Sequence, residues 1–291
     1  PRVAAQPQSQ VTSTLLITAL VASDNILTRK ICLRALINLL VHEELHAAAI
    51  EDGIVWGLAT LSKADDAEMK VLSLQGLCNL SKRFGRQVLA SAVALREIHS
   101  ATQAEDIQLR ELGAKTLLNV ALVSTQADAS FRSESVLVLP HLIASTPDLQ
   151  ELGCLIGCLI SQSAECSQAI MQSGVIAQLS TSTLHERSQV QLAFVGLLHN
   201  ITRDPVTRAR VMDKQLVEKL RLIAQQSDDQ PTRKLVICSL YQLSCAMENL
   251  ADLTKQNALL VIKECISGLA IFREFDAVLY LAALLHNMTM D

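Results

Sequence analysis

A short phrase returns along the whole chain and limits what it can fold into. Leu36-Ile37-Asn38-Leu39 is followed by Leu77-Cys78-Asn79-Leu80, Leu117-Leu118-Asn119-Val120, Leu198-His199-Asn200-Ile201 and Leu285-His286-Asn287-Met288, with weaker copies at Leu159-Ile160-Ser161 and Leu240-Tyr241-Gln242-Leu243. The Asn-type positions 38, 79, 119, 161, 200, 242 and 287 are separated by 41, 40, 42, 39, 42 and 45 residues. A period near forty in a sequence with helical spacing of its apolar residues predicts an array of helical repeats, in which each unit buries its apolar face against its neighbours.

Composition agrees with Leu/Ala/Val helix packing: half of the 291 residues are hydrophobic and only 3% are aromatic. Charge is close to balance, with 13 Lys+Arg against 14 Asp+Glu up to residue 145 and 12 against 15 afterwards. A global positive field for nucleic acid is therefore not expected. No apolar run reaches the eighteen or so residues of a membrane span, and the first residues fit neither a signal peptide nor an acylation site. The expected setting is a cytoplasmic protein without membrane insertion. The chain opens on Pro1 rather than Met, so it is expected to be a piece of a longer one.

In chain order, residues 1–10 read as a polar tail and Thr14 to Val21 as a short helix. Thr28 to Leu40 is the first strong helix, with Leu33, Leu36, Ile37 and Leu40 at helical spacing. His42 to Glu51 predicts a short helix stopped by Asp52-Gly53, Ile54 to Leu61 a medium one, and Glu68 to Leu80 a long one. The same order recurs with Ser173-Gly174 before Val175 to Leu179. Asp204-Pro205 opens a helix leading to Met212, Gln230-Pro231 a helix to Leu243, and Phe275 the last one. Between Ala121 and Phe131 a long loop or degraded helix is expected.

Aligned on the Asn position, the residue two before it is Leu in all seven copies, and the residue five before it is Leu33, Leu74, Ala114, Ile156, Val195, Ile237 or Ala282. Those columns face the stack, where each buried Leu or Ile contributes about 1.5–3 kcal/mol.

The three-helix unit, the forty-residue period, Gly53 and Gly174 between the first two helices, and the Leu-x-Asn-Leu ending together resemble the armadillo-repeat superfamily, from about Thr12 to Met290. The resemblance implies an all-α, right-handed α-solenoid of about six to seven three-helix repeats, occupying residues 11–291 as a single array. Two-helix HEAT-type repeats are the alternative. Departures from the pattern fall near Ser91, Ser135, Gln215 and Asn257, which replace the helix-breaking Gly, and at Ser161 and Gln242, which replace Asn.

In that family the third helices line a concave groove, and the Asn ladder holds an extended peptide, because an amide offers one donor and one acceptor to a peptide group. The implied groove residues are Lys30, Arg34, Asn38, Gln75, Asn79, Lys115, Asn119, Ser161, Asn200, Gln242 and Asn287. The first three rungs carry a positive bias, and Gly153, Gly157 and Gly196 suggest a floor for an apolar anchor. The competing interpretation is that the Asn ties down the next loop and the glycines ease close packing. Import receptors of the family pair each Asn with a Trp four residues earlier; here those positions are Arg34, Gln75, Lys115, Gly157, Gly196, Cys238 and Ala283, so a β-catenin-like groove for acidic partners is nearer. Trp56 is expected to be a packing residue.

His42-Glu43-Glu44-Leu45-His46 matches HExxH, a zinc-hydrolase motif, but the Gly and third His of a metzincin are replaced by Ala49 and Asp52. Eight cysteines fall mostly in the apolar pattern without a CxxC pair, which predicts core thiols in a reducing compartment; only Cys154 and Cys158 stand one turn apart. The expected protein is a noncatalytic adaptor or scaffold with no cofactor and no metal, holding an acidic extended segment with an apolar anchor. Its exposed ends are expected to self-associate. A cytoskeletal or ciliary assembly protein and a myosin-type co-chaperone are alternatives on the same fold, and a zinc-dependent hydrolase rests on HEELH alone.

Overall fold

The computed structural model describes residues 16–20, 22–125, 128–182, 188–213, 215–268 and 275–289. Among them every regular element is helical, and they fall into two compact units, residues 1–134 and 135–291. The expected polar tail lies outside the described residues.

In the first unit residues 16–20 are helical, and α1 spans Ile26–Leu39. A 3-10 turn at Glu43–Leu45 leads into α2 (His46–Glu51), α3 (Ile54–Leu61), α4 (Ala67–Leu89), α5 (Ala92–Thr102) and α6 (Ile107–Val123). Polar residues set the starts. Asn25 accepts from the amides of Leu27 and Thr28, Asp66 from Met69, Ser91 from Ala94, and Asp106 from Gln108 and Leu109. Each such cap contributes about 1 kcal/mol. Gly53, at φ 83°, turns the chain between α2 and α3 through the left-handed region that glycine enters without steric cost.

α4 runs past the expected end at Leu80, as far as Leu89, with a kink at Phe84 (φ −118°, ψ 35°). It therefore carries the third helix of one repeat and the first helix of the next. α1, α4 and α6 pack side by side, and Leu33, Leu36, Leu74, Leu77, Ala114 and Leu117 are all buried between the layers. Trp56 departs from expectation: α3 buries Ile54, Val55, Leu58, Ala59 and Leu61, which leaves Trp56 on the outer side, 53% exposed.

α7 (Ala129–Ile143) begins directly after the loop that follows α6, and in the second unit it is followed by α8 (Pro147–Ile160), α9 (Ala164–Gln172), α10 (Val175–Thr181) and α11 (Ser188–Arg203). Then come α12 (Pro205–Arg208), α13 (Leu216–Gln226), α14 (Gln230–Ser244), α15 (Met247–Lys255), α16 (Ala258–Gly268) and α17 (Phe275–Thr289). α8, α11, α14 and α17 pack in sequence as the third helices. α2–α3–α4, α9–α10–α11, α12–α13–α14 and α15–α16–α17 group in threes, which answers the HEAT alternative. α12 stops well short of Met212, because the amide of Arg210 already bonds to Thr207 O and closes the turn.

Gly174 (φ 76°) repeats the device of Gly53, and Asn257 (φ 56°) performs it where Gly is missing. Ser135 does not. It stands 26 residues before Ser161, in the register of Gly53 before Asn79 and Gly174 before Asn200, yet it lies inside α7. A serine entering the left-handed region costs about 1–2 kcal/mol, so the chain continues straight and the two short helices of this repeat become one. The Leu column is buried at Leu198 and Leu240, half-buried at Leu159 and 38% exposed at Leu285, with Ala282 exposed beside it.

Candidate functional site

The Asn positions do two different things. In the first unit Asn119 on α6 donates from Nδ2 to Ser81 Oγ at 2.9 Å and to Cys78 O at 3.4 Å, both on α4. In the second unit Asn200 on α11 donates to Ser161 Oγ at 3.0 Å and to Cys158 O at 3.1 Å. Asn287 donates to Ser244 Oγ at 3.0 Å, and Gln242 accepts from Thr202 Oγ1. Each clasp joins one third helix to the end of the helix before it, and it needs a hydroxyl there. Both Nδ2 hydrogens of Asn119 and Asn200 are thus engaged, leaving Oδ1 as their only outward group. Ser161 is itself buried and donates to Cys158 O at 3.0 Å.

Asn38 and Asn79 differ. Neither side chain has a hydrogen-bond partner among the described residues; Asn38 is exposed and Asn79 half-buried. The position two after Asn38, where the clasp hydroxyl stands in Ser81, Thr202 and Ser244, is Leu40. Leu40 offers Asn79 nothing, so its donor and acceptor both remain available.

The cationic residues of the first rungs are engaged in part. Lys30 Nζ lies 2.6 Å from Asp66 and 3.3 Å from Glu68, and Arg34 Nε donates to Glu68 at 2.9 Å. The Asp66 contact raises the Lys30 pKa, while Lys30 lowers that of Asp66 and Arg34 that of Glu68. Lys115 pairs with Glu111 one turn away at 3.2 Å, with about half of its side chain exposed. Lys82 is exposed and has no ion-pair partner among the described residues, a feature that sequence reasoning missed. Burial raises the pKa of Cys78, opposed first by its hydrogen bond with Thr116 and then by the charges of Lys82 and Lys115. Gln75, Asn79, Lys82 and Lys115 thus form one polar, cationic face on α4 and α6.

The glycines of the middle rungs serve packing. A Cβ at Gly153 would lie 2.8 Å from Ile143 Cδ1, one at Gly157 3.3 Å from Leu197 Cδ2, and one at Gly196 2.8 Å from Cys158 Sγ. The expected apolar pocket is filled by these neighbours.

HEELH is likewise absorbed by the fold. His46 is 3% exposed, and its Nε2 donates to Leu40 O at 2.8 Å, while His42 sits outside at the start of the 3-10 turn. The same reach across six residues recurs from Ser167 Oγ to Ser161 O (2.7 Å), from Thr207 Oγ1 to Ile201 O, and from Asn249 Nδ2 to Leu243 O (3.1 Å). Each satisfies a carbonyl left open where the preceding third helix ends. Among the described residues no His/Cys/Asp/Glu group has the arrangement of a metal site. The eight cysteines are free; five are buried, and burial pushes Cys154 and Cys265 up to about 12 and Cys238 to about 11, so these three are neutral thiols of the core, whereas Cys245 is exposed. No helix among the described residues is long and apolar enough to cross a membrane.

Solved structures match this arrangement. A designed armadillo-repeat protein aligns with 79% of this chain and 99% of its own, at a TM-score of 0.65 and 15% identity. The fold is that of the armadillo-repeat proteins. A second designed armadillo protein, solved with the peptide (KR)4, aligns at a TM-score of 0.64 and 15% identity over 79% of this chain and 98% of that one. A structure concerned with a conserved phosphorylation switch in the interaction of cadherin with β-catenin aligns at 0.78 and 15% identity over 97% of this chain and 57% of that one. No protein-family model and no curated protein matches the sequence.

Proposed function

We propose that this armadillo-type chain is a noncatalytic scaffold that holds an extended acidic segment of another protein against α1, α4 and α6. The observation that carries this reading is Asn79, whose amide has both its donor and its acceptor unengaged, between exposed Gln75, Lys82 and Lys115. An extended peptide presents alternating N–H and C=O groups, and desolvating one without a partner costs about 1–3 kcal/mol, so a free amide on a half-buried rung is a specific backbone receptor. Asn38 adds a second free amide on α1. Lys82, Lys115 and the exposed Arg34 favour acidic side chains, whereas the armadillo protein solved with (KR)4 holds a peptide of opposite charge. Asn119, Asn200, Gln242 and Asn287 are assigned mainly to holding the stack. Free core thiols support a reducing, cytoplasmic location.

The test is fluorescence anisotropy with a labelled, extended Asp/Ser peptide. Asn79→Ala is expected to weaken binding roughly tenfold, equivalent to about 1.4 kcal/mol. Lys82→Glu is expected to weaken it and to flatten its salt dependence. Equal affinity for wild type and both variants would remove this face as the site.

A further inference from the structure

Where Ser135 lets α7 run straight, the first unit is left with an open cleft of about 630 Å³ between the end of α4, the start of α5 and the first two turns of α7. In the repeats that keep the break, a short first helix folds back. α2 then buries His46 and Ala49, α9 buries Cys166 and Ile170, and α15 buries Leu250 and Leu253. Each places one or two apolar side chains, three or four residues apart, against the layer beneath. Here no such helix is folded back, because residues 129–134 are part of α7 itself.

The cleft walls carry an apolar base and four charged residues, Arg86 and Arg96 against Asp128 and Glu134. Leu89, Leu95 and Phe131 line it. Arg86 is held by Asp128 at 3.3 Å, and Glu134 faces His99 at 3.5 Å and accepts from Ser130 Oγ at 3.1 Å. Arg96 is exposed on α5 and has no ion-pair partner among the described residues. Arg96 is therefore the one cation of the lining that no carboxylate pairs among the described residues, while the Glu134 carboxylate faces a His99 ring that burial keeps neutral.

We propose that this cleft is a second protein-binding site, independent of the amide face, that takes a two-turn amphipathic helix from a partner. The helix supplies apolar residues at i and i+4, as α9 does with Cys166 and Ile170, and an acidic residue to Arg96. It occupies the place that the absent fold-back helix leaves open.

The probe is a fluorescein-labelled, side-chain-stapled helical peptide with Leu at i and i+4 and a single Glu, titrated by anisotropy, with the circular dichroism of each variant recorded as a check on folding. Saturable binding to the wild-type chain is expected. Ala92→Trp, which fills the cleft from its exposed rim, is expected to weaken binding at least tenfold. Arg96→Glu is expected to weaken it about fivefold, with recovery when the peptide's Glu is replaced by Lys. An unlabelled extended acidic peptide is expected not to displace the probe. Absence of binding, undiminished binding to folded Ala92→Trp, failure of the charge exchange to rescue, or displacement by the extended peptide would each overturn the assignment.

Discussion

The sharpest consequence of the ladder is that two asparagines in the same register must respond oppositely to alanine. Asn200→Ala removes the donors to Ser161 Oγ (3.0 Å) and Cys158 O (3.1 Å). Each such bond contributes about 0.5–1.5 kcal/mol net, which sums to about 1–3 kcal/mol. Alanine returns about 0.5 kcal/mol through its better helix propensity inside α11. The expected loss is about 0.5–2.5 kcal/mol, read as a lower urea midpoint with an unchanged slope. Asn79→Ala removes no contact and gains the same propensity within α4, so it should be neutral or stabilising by a few tenths of a kcal/mol. A cycle with Ser161→Ala isolates the clasp: the Asn200–Ser161 coupling is expected at about 0.5–1.5 kcal/mol. If Asn79→Ala destabilises as much as Asn200→Ala, or if the coupling is zero, the division of the ladder into clasps and free amides is wrong.

Other perturbations test the parts around it. Gly174→Ala at φ 76° meets no atom within 4 Å, so its whole cost is backbone strain, about 1–2 kcal/mol by chemical unfolding. His46→Ala should destabilise the chain by about 1–3 kcal/mol, by leaving the Leu40 carbonyl unpaired, while the wild-type chain binds no stoichiometric zinc in a metal titration. Burial lowers the pKa of His99, opposed by Glu134, and that of His199, assisted by Arg203. Because the folded values lie below the unfolded 6.5, the contribution of the neutral rings is complete above that pH and is lost as pH falls through it. The urea midpoint should therefore drop between about pH 7.5 and about pH 5.5, and a His99→Gln/His199→Gln variant should show a flatter profile.

Much of the stack could be read from the sequence because its signals are local. The two apolar columns, the glycines at 53 and 174 and the polar caps each act within a few residues of themselves, and period and pattern place them in helices of the right length. Even the irregular repeat left a local trace, since Ser135 stands where a left-handed residue belongs. What sequence could not resolve is which asparagines are free, because that is settled by a residue 38 to 43 positions away, across a helix contact. Asn119 has Ser81 below it and becomes a clasp; Asn79 has Leu40 below it and stays open. The pairing is legible once known: a Ser or Thr two residues beyond one rung, as at Ser81, Thr202 and Ser244, or at the rung position itself, as at Ser161, engages the amide of the next. Which rungs keep a free amide is then set by the hydroxyl column more than by the Asn column. Leu40→Ser, which would supply the missing hydroxyl beneath Asn79, should convert that free amide into a clasp and weaken binding of an acidic extended peptide without touching any residue that contacts it.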